Sequence, residues 1–278
     1  MENISVLVQS RSSQRTYKPE LFSNELIGKI EQILKDCPPG PFKNESTFKL
    51  IHKSIAADQK IKLGTYGFIK GAQHFIAGKT VPGPGAMVDY GYRMEWIILQ
   101  LTALGLGTCW LGGSFSRSDY AELMYLNDNE LIPAVTPVGY STQKRSLRDR
   151  LIRLGAGSKK RKATGDLFFD NDFDRPLTRS DKRISTTLEM VRLAPSASNK
   201  QPWRIVKVDN IYHFYIQRTP GYGFKHFGID LQKVDLGIAI CHFDLATKVL
   251  GLSGRWEAAD PGLSSPEHTD YILSWIHQ

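Results

Sequence analysis

No apolar stretch in this chain approaches the roughly 20 residues that a helix needs to cross a bilayer. The opening residues, Met1 to Ser10, have neither the basic start nor the apolar core of a secretory leader. Cysteine is scarce. Cys37, Cys109 and Cys241 are an odd number, far apart, and no two form a CxxC pair. That spacing argues against a disulfide framework, a metal knuckle or a dithiol redox pair, and leaves buried free thiols as the reading. From these absences we expect a cytoplasmic protein without a membrane partner or a metal. Concentrated positive charge is also lacking: the net charge is +8 over 278 residues, but Lys and Arg are scattered. The one dense run, Lys159-Lys160-Arg161-Lys162, has no aromatic residues interleaved, so no nucleic-acid partner is expected.

What is present is the composition of an ordinary globular chain, 41% hydrophobic and 23% charged. Leu26, Ile27, Ile30, Ile33 and Leu34 share one face of a helix that Ser23 can cap, and Cys37-Pro38-Pro39-Gly40-Pro41 stops it. Phe48 to Ile55 reads as a strand. Val81 to Gly85 forms a loop before a long apolar helix, Tyr90 to Leu104, and Ile132 to Tyr140 reads as a buried strand. A basic helical segment, Arg145 to Leu154, and a Gly/Ser/Lys-rich linker follow. The pattern then restarts with a helix from Ser185 to Leu193 and a strand from Arg204 to Val208.

The restart has a fixed spacing. An offset of 146 positions relates Asp89 to Asp235, Gly105 to Gly251 and Trp110 to Trp256. Further upstream, Pro38 corresponds to Pro195 at an offset of 157, and a shorter loop in the second copy is expected to explain the change. The chain thus reads as α+β, two tandem diverged half-units, with a first half at 1–158 and a linker and second half at 159–278.

Two segments carry candidate chemistry. Arg11-Ser12-Ser13-Gln14-Arg15 sets two guanidinium groups and hydroxyls within one turn of chain, where Arg11, Ser13 and Arg15 can converge on an anion such as phosphate. An exposed basic turn is the plainer alternative. Pro195-Ser196-Ala197-Ser198-Asn199-Lys200-Gln201-Pro202-Trp203 joins an amphipathic helix to a strand and offers amides, hydroxyls and a carboxamide to the edge of a flat heteroaromatic ring. A loop capped by its own side chains would look similar.

Together these segments resemble the FMN-dependent nitroreductase family. The family's Arg-x-Ser-x-Arg is seen in Arg11, Ser13 and Arg15, and its Pro-Ser-x-x-Asn-x-Gln-Pro-Trp from Pro195 to Trp203. Its Gly-Leu-Gly-Thr-Cys-Trp-Leu-Gly loop spans Gly105 to Gly112, and its Arg-Lys pair before a final helix resembles Arg161-Lys162. One departure matters. The first half has Pro38-Pro39-Gly40-Pro41-Phe42-Lys43 where the Pro-Ser segment is expected, with Phe42 in the place of Asn199. The second half lacks Arg-x-Ser-x-Arg and keeps only Gly251-Leu252-Ser253-Gly254-Arg255-Trp256 of the glycine loop. Because the family is a homodimer whose sites borrow the Pro-Ser segment from the partner, the complementary losses resemble the single-chain, internally duplicated pseudo-dimers. This implies one surviving site in a monomer.

The resemblance further implies that Arg11, Ser12, Ser13, Gln14, Arg15 and Arg161 hold the FMN phosphate end, with Lys144 and Arg145 as alternative partners. Trp110, Leu111 and Gly112 would line the ring near N5, and Pro195, Ser196, Ala197, Ser198 and Asn199 its other face and edge. The flavin supplies the redox chemistry. NADH or NADPH would reduce it and leave before a flat, electron-poor substrate such as a nitroaromatic or quinone stacks there, in ping-pong fashion. No residue is nominated as acid or base, since none of the seven His lies in these segments. The alternative is a flavin-binding carrier or sensor without turnover.

Overall fold

The structure, a computed structural model, describes residues 4–142, 160–222 and 228–278. The expected helix at Arg145 to Leu154, the alternatives Lys144 and Arg145, Lys159 and the 158/159 boundary lie outside the described residues.

The chain opens with α1 (Ile4–Ser10) and α2 (Asn24–Lys35). Ser23 caps α2 as expected, its Oγ accepting from Leu26 N at 3.2 Å. The expected strand at Phe48 is shorter than read: β1 (Ser46–His52) passes at once into α3 (Lys53–Asp58). Next come β2 (His74–Thr80) and the long α4 (Ala86–Ala103), which starts four residues before Tyr90. The reason is Gly85, whose left-handed φ of 75° turns the chain into the helix. The first half ends with β3 (Gly107–Thr108), α5 (Arg117–Leu123) and β4 (Val135–Gly139). The second contains β5 (Phe168–Asp170), α6 (Lys182–Leu193), β6 (Trp203–Val208), β7 (Ile211–Gln217), α7 (Leu231–Val249), β8 (Gly254–Glu257) and β9 (Thr269–His277). The Arg161-Lys162 pair does not precede a helix directly; a 3-10 turn at Thr164–Asp166 and β5 follow it. Among the described residues no helix is long and apolar enough to cross a membrane.

Two sheets carry the repeat. The first has the order β1-β2-β4-β3, the second β5-β6-β7-β9-β8. If β5 is set aside, β6, β7, β9 and β8 follow β1, β2, β4 and β3 strand for strand, and every pairing in both orders is antiparallel. β5 pairs parallel with β6 at the open edge. The change of offset has two causes rather than the single shorter loop expected. Residues 209–210 alone join β6 to β7, where 53–73 separate β1 from β2, but 218–230 lead into α7 where only 81–85 lead into α4.

The halves meet through α4 and α7, whose inner faces are almost wholly buried. Their crossing is close enough to need glycine. A Cβ on Gly91 would lie 2.1 Å from Val234 O, and one on Gly237 would lie 2.0 Å from Val88 O. Both the glycines and the valines are 146 positions apart, so each helix gives the other the same contact, as in a two-fold interface.

Candidate functional site

A cleft opens where the two halves meet, and the sequence-expected residues converge on it. α1 ends at Ser10, so the next residues leave the helix and run beside β3, with Ser13 bridged to Thr108 and Gln14 N donating to Thr108 O at 2.8 Å. This places Arg11, Ser12, Ser13 and Arg15 on one wall. Trp110 and Gly112 line the cleft from the glycine loop, and Arg161 with Pro195, Ser196, Ala197, Ser198 and Asn199 line it from the second half.

Gln14 and Leu111 are not among the lining residues. Gln14 turns its carboxamide to Ser12 Oγ at 3.1 Å and packs on Gly107. Leu111 is 3% exposed, packs in the first-half core and exchanges backbone bonds with Val135 at 2.9 and 3.0 Å. Both hold the wall from behind. Conversely, Ala134, Leu231, Val234, Asp235 and Ile238 line the cleft and were not anticipated. The four apolar ones look like any core residue in sequence. Asp235 did have a signal, its repeat partner Asp89.

The Pro195 loop is strained: Ser198, Asn199 and Gln201 have φ of 47°, 55° and 49°, in the left-handed region that side chains disfavour. Specific bonds hold it. Ser196 Oγ accepts from Gln201 N at 2.9 Å, and Asp235 Oδ1 accepts from Ala197 N at 2.9 Å. Arg161 donates to Asn199 Oδ1 and, at 3.0 Å, to Leu193 O, while Asn199 Nδ2 donates to Lys160 O at 2.6 Å. The expectation that Asn199 turns its carboxamide to a ring thus meets a different arrangement, in which that group is engaged with Arg161 and with the carbonyl of Lys160.

Arg11, Arg15 and Arg161 bring positive charge to the cleft. Arg161 is pushed down to about 10, first by burial and then by the positive charges of Arg11 and Arg192. Arg192 is paired bidentately with Glu189. The Arg11 side chain is 7% exposed, its Nε lies 3.9 Å from Glu95 Oε1, and that Nε has no hydrogen-bond partner among the described residues. Glu95 is fully buried on α4. It accepts from Trp110 Nε1 at 2.7 Å and contacts His242 Nε2 at 2.9 Å. His242 Nδ1 faces Met190 O at 2.9 Å, a group that only accepts, so Nδ1 carries a proton. One buried carboxyl therefore fixes the Trp110 indole, stands beside Arg11 and ties α4 to α7. In sequence, Glu95 passes for a solvated charge on a helix.

Asp235 Oδ2 is buried, has no partner among the described residues, and belongs to a residue lining the cleft. Burial pushes this carboxyl well above the usual carboxylate range. In the other half Asp89 is saturated: Phe42 N donates to Oδ1 at 2.9 Å, and Asn44 N and Nδ2 donate to Oδ2 at 2.6 and 2.9 Å. Phe42 packs so tightly on Gly85 that a Cβ there would meet its ring at 2.2 Å.

Comparison with known proteins bears on the family and the fold. A family model described as "Putative TM nitroreductase" matches residues 3–247. The crystal structure of a "putative nitroreductase" from Thermotoga maritima is similar over 99% of this chain and 93% of that one, with 21% identity and a TM-score of 0.62. A nitroreductase with bound FMN from Desulfitobacterium hafniense is 18% identical over 52% of this chain and 92% of its own, with a TM-score of 0.43. An FMN-dependent nitroreductase from Clostridium difficile is 21% identical over 50% of this chain and 88% of its own, with a TM-score of 0.41. Comparison with curated proteins gives no match.

Proposed function

This chain belongs to the family described as "Putative TM nitroreductase", and we propose on that premise that its inter-half cleft holds one FMN and serves a flavin-dependent oxidoreductase. The observation that carries the reading is Arg161, partly buried within the reach of Arg11's charge and bonded, among the described residues, only to the neutral oxygens of Asn199 and Leu193. Two guanidinium groups pressed together at one end of a cleft are relieved by a multivalent anion, and a phosphate ester suits their fork geometry. The unpartnered Arg11 Nε and Asp235 Oδ2 fit the same reading, since each is a buried polar atom left to be satisfied by a ligand.

When bound, FMN supplies the hydride-transfer chemistry. The chain's own part is to anchor and orient. Arg11, Ser13, Arg15 and Arg161 hold the phosphate end. Trp110, locked by Glu95, and Gly112 form the wall on one side, and Pro195 to Asn199 the other. NADH or NADPH is the proposed reductant, and nitroaromatics, quinones or similar flat acceptors the proposed substrates. The first half, 1–158, and the second, 159–278, act as the two members of a dimer within a monomer.

The test has two stages. Titration with FMN, followed by flavin fluorescence, is expected to end near one equivalent per chain; two equivalents would contradict the single-site reading. Anaerobic NADH or NADPH is then expected to bleach the bound flavin, and a quinone or nitroaromatic to restore its colour. A flavin that stays yellow with either nucleotide makes the protein a carrier or sensor.

A further inference from the structure

A second concavity lies on the far side of the second sheet. Along β6, Trp203 and Ile205 face the core, so Arg204 faces the opposite side of the sheet. It is 7% exposed there. With Lys162, Gln217, Thr269, Phe169 and Phe173 it lines a pocket separate from the inter-half cleft.

The charges in this pocket are unbalanced. Among the described residues the Arg204 guanidinium donates only to neutral oxygens, Gln201 O at 3.1 Å, Trp203 O at 2.6 Å and Gln217 Oε1. No carboxylate among the described residues stands within ion-pair distance of Arg204 or Lys162. Asp166, exposed at the rim, is the one acid of the lining and tempers both cations from farther off. Burial nevertheless pulls Arg204 down to about 10 and, joined by the charge of Arg204, pulls Lys162 down to about 8. Burying a cation without an opposite charge is costly, and a buried guanidinium with a half-buried ammonium near it leaves room for an anion. Two further features select which anion. Thr269 Oγ1 is buried in the lining without a partner among the described residues. Phe169 and Phe173 form an aromatic wall, their centroids 5.5 Å apart, and Phe173 is backed edge-on by Tyr215.

We propose that this pocket is a second ligand site that takes a small aromatic carboxylate, its carboxylate between Lys162 and Arg204 and its ring against Phe169 and Phe173. The site does not depend on flavin in the inter-half cleft.

Benzoate is the probe, with isosteric neutral benzamide and ringless inorganic phosphate beside it, measured by calorimetry on the full chain at pH 8 with and without saturating FMN. Benzoate is expected to bind about tenfold or more tightly than either control, equally well in both conditions. Its heat should depend on the buffer, because an anion beside Lys162 raises that amine's proton affinity and draws a proton from the medium. Lys162→Gln, at a half-buried position, is expected to weaken benzoate about tenfold and abolish the proton uptake. Arg204→Gln should weaken it similarly where the variant folds. Equal binding of benzamide or phosphate, displacement by FMN, or unchanged benzoate binding and proton uptake in Lys162→Gln would each overturn the assignment.

Discussion

Pro195–Gln201 and Pro38–Asn44 occupy corresponding places in the two halves, each between a helix and the first strand of a hairpin, yet they treat their neighbouring carboxylates differently. Asn44 turns its backbone and side-chain N–H groups to Asp89 and saturates Oδ2. Gln201 stands at the matching offset of 157. Its carboxamide is bound instead to the 160–162 segment, Lys162 N donating to Oε1 at 2.9 Å, and Asp235 Oδ2 is left buried without a partner among the described residues. Phe42 fills space on Gly85, whereas Asn199 reaches out to Arg161. The scaffold is common to both halves. What distinguishes an open cleft from a packed corner is where three carboxamides and one aromatic ring are directed, a matter of local side-chain chemistry rather than of fold.

The comparison can be tested first at what the halves share. Gly91→Ala and Gly237→Ala should each destabilise the chain by about 3 kcal/mol, because each forces a methyl group onto a backbone carbonyl of the partner helix. Alanine's better helix propensity returns only about 0.5–1 kcal/mol. Urea unfolding of the two variants checks this, and a large loss in one with none in the other would break the two-fold relation of the crossing.

The next effect tests where the halves differ. Asp89→Ala leaves Phe42 N, Asn44 N and Asn44 Nδ2 without their acceptor, and should cost about 2–3 kcal/mol of stability. Asp235→Ala orphans Ala197 N alone and removes a desolvated carboxyl, so about 1 kcal/mol or less is expected. Thermal unfolding of both variants is the measurement. Equal losses would mean that Asp235 is as well satisfied as its counterpart and that the cleft has no polar atom waiting there.

Much of this was legible in the sequence, for identifiable reasons. The 146 offset is readable because it marks α4 and α7, where close crossing demands Gly91 and Gly237 and leaves little freedom to diverge. Arg11, Ser13, Arg15 and the Pro195 segment were legible because they are polar, clustered and local. The loop lengths were not, since one much shorter connection and one longer one show in the sequence only as their net difference. Val234 and Ile238 were hidden because an apolar side chain facing a cleft has the same pattern as one facing the core. Glu95 was hidden because its partners Trp110 and His242 come from distant parts of the chain. The partners of Asn199 were hidden for the same reason, Arg161 being 38 positions away.

That last residue gives the finest test, one that rests on the proposed flavin site. Sequence reasoning gave Asn199 a hydrogen bond to a ring, but the fold gives it the task of steadying Arg161. Riboflavin has the ring without the phosphate and separates the two roles. Arg11→Ala should weaken FMN by about 1.5–3 kcal/mol, the range of a charge-assisted bond, and leave riboflavin unchanged. Asn199→Ala should follow the same pattern at smaller size, about 0.5–1.5 kcal/mol on FMN alone, because what it loosens is a phosphate-holding guanidinium. The two effects should also fall short of additivity when combined, since Arg11 and Arg161 act on one anion. Fluorescence titration of both ligands against the three variants provides the measurement. If Asn199→Ala weakens riboflavin as much as FMN, the carboxamide leaves Arg161 for the ring on binding. If it weakens neither, the second half contributes nothing through Asn199, and the difference between Asn199 and Phe42 is one of packing alone.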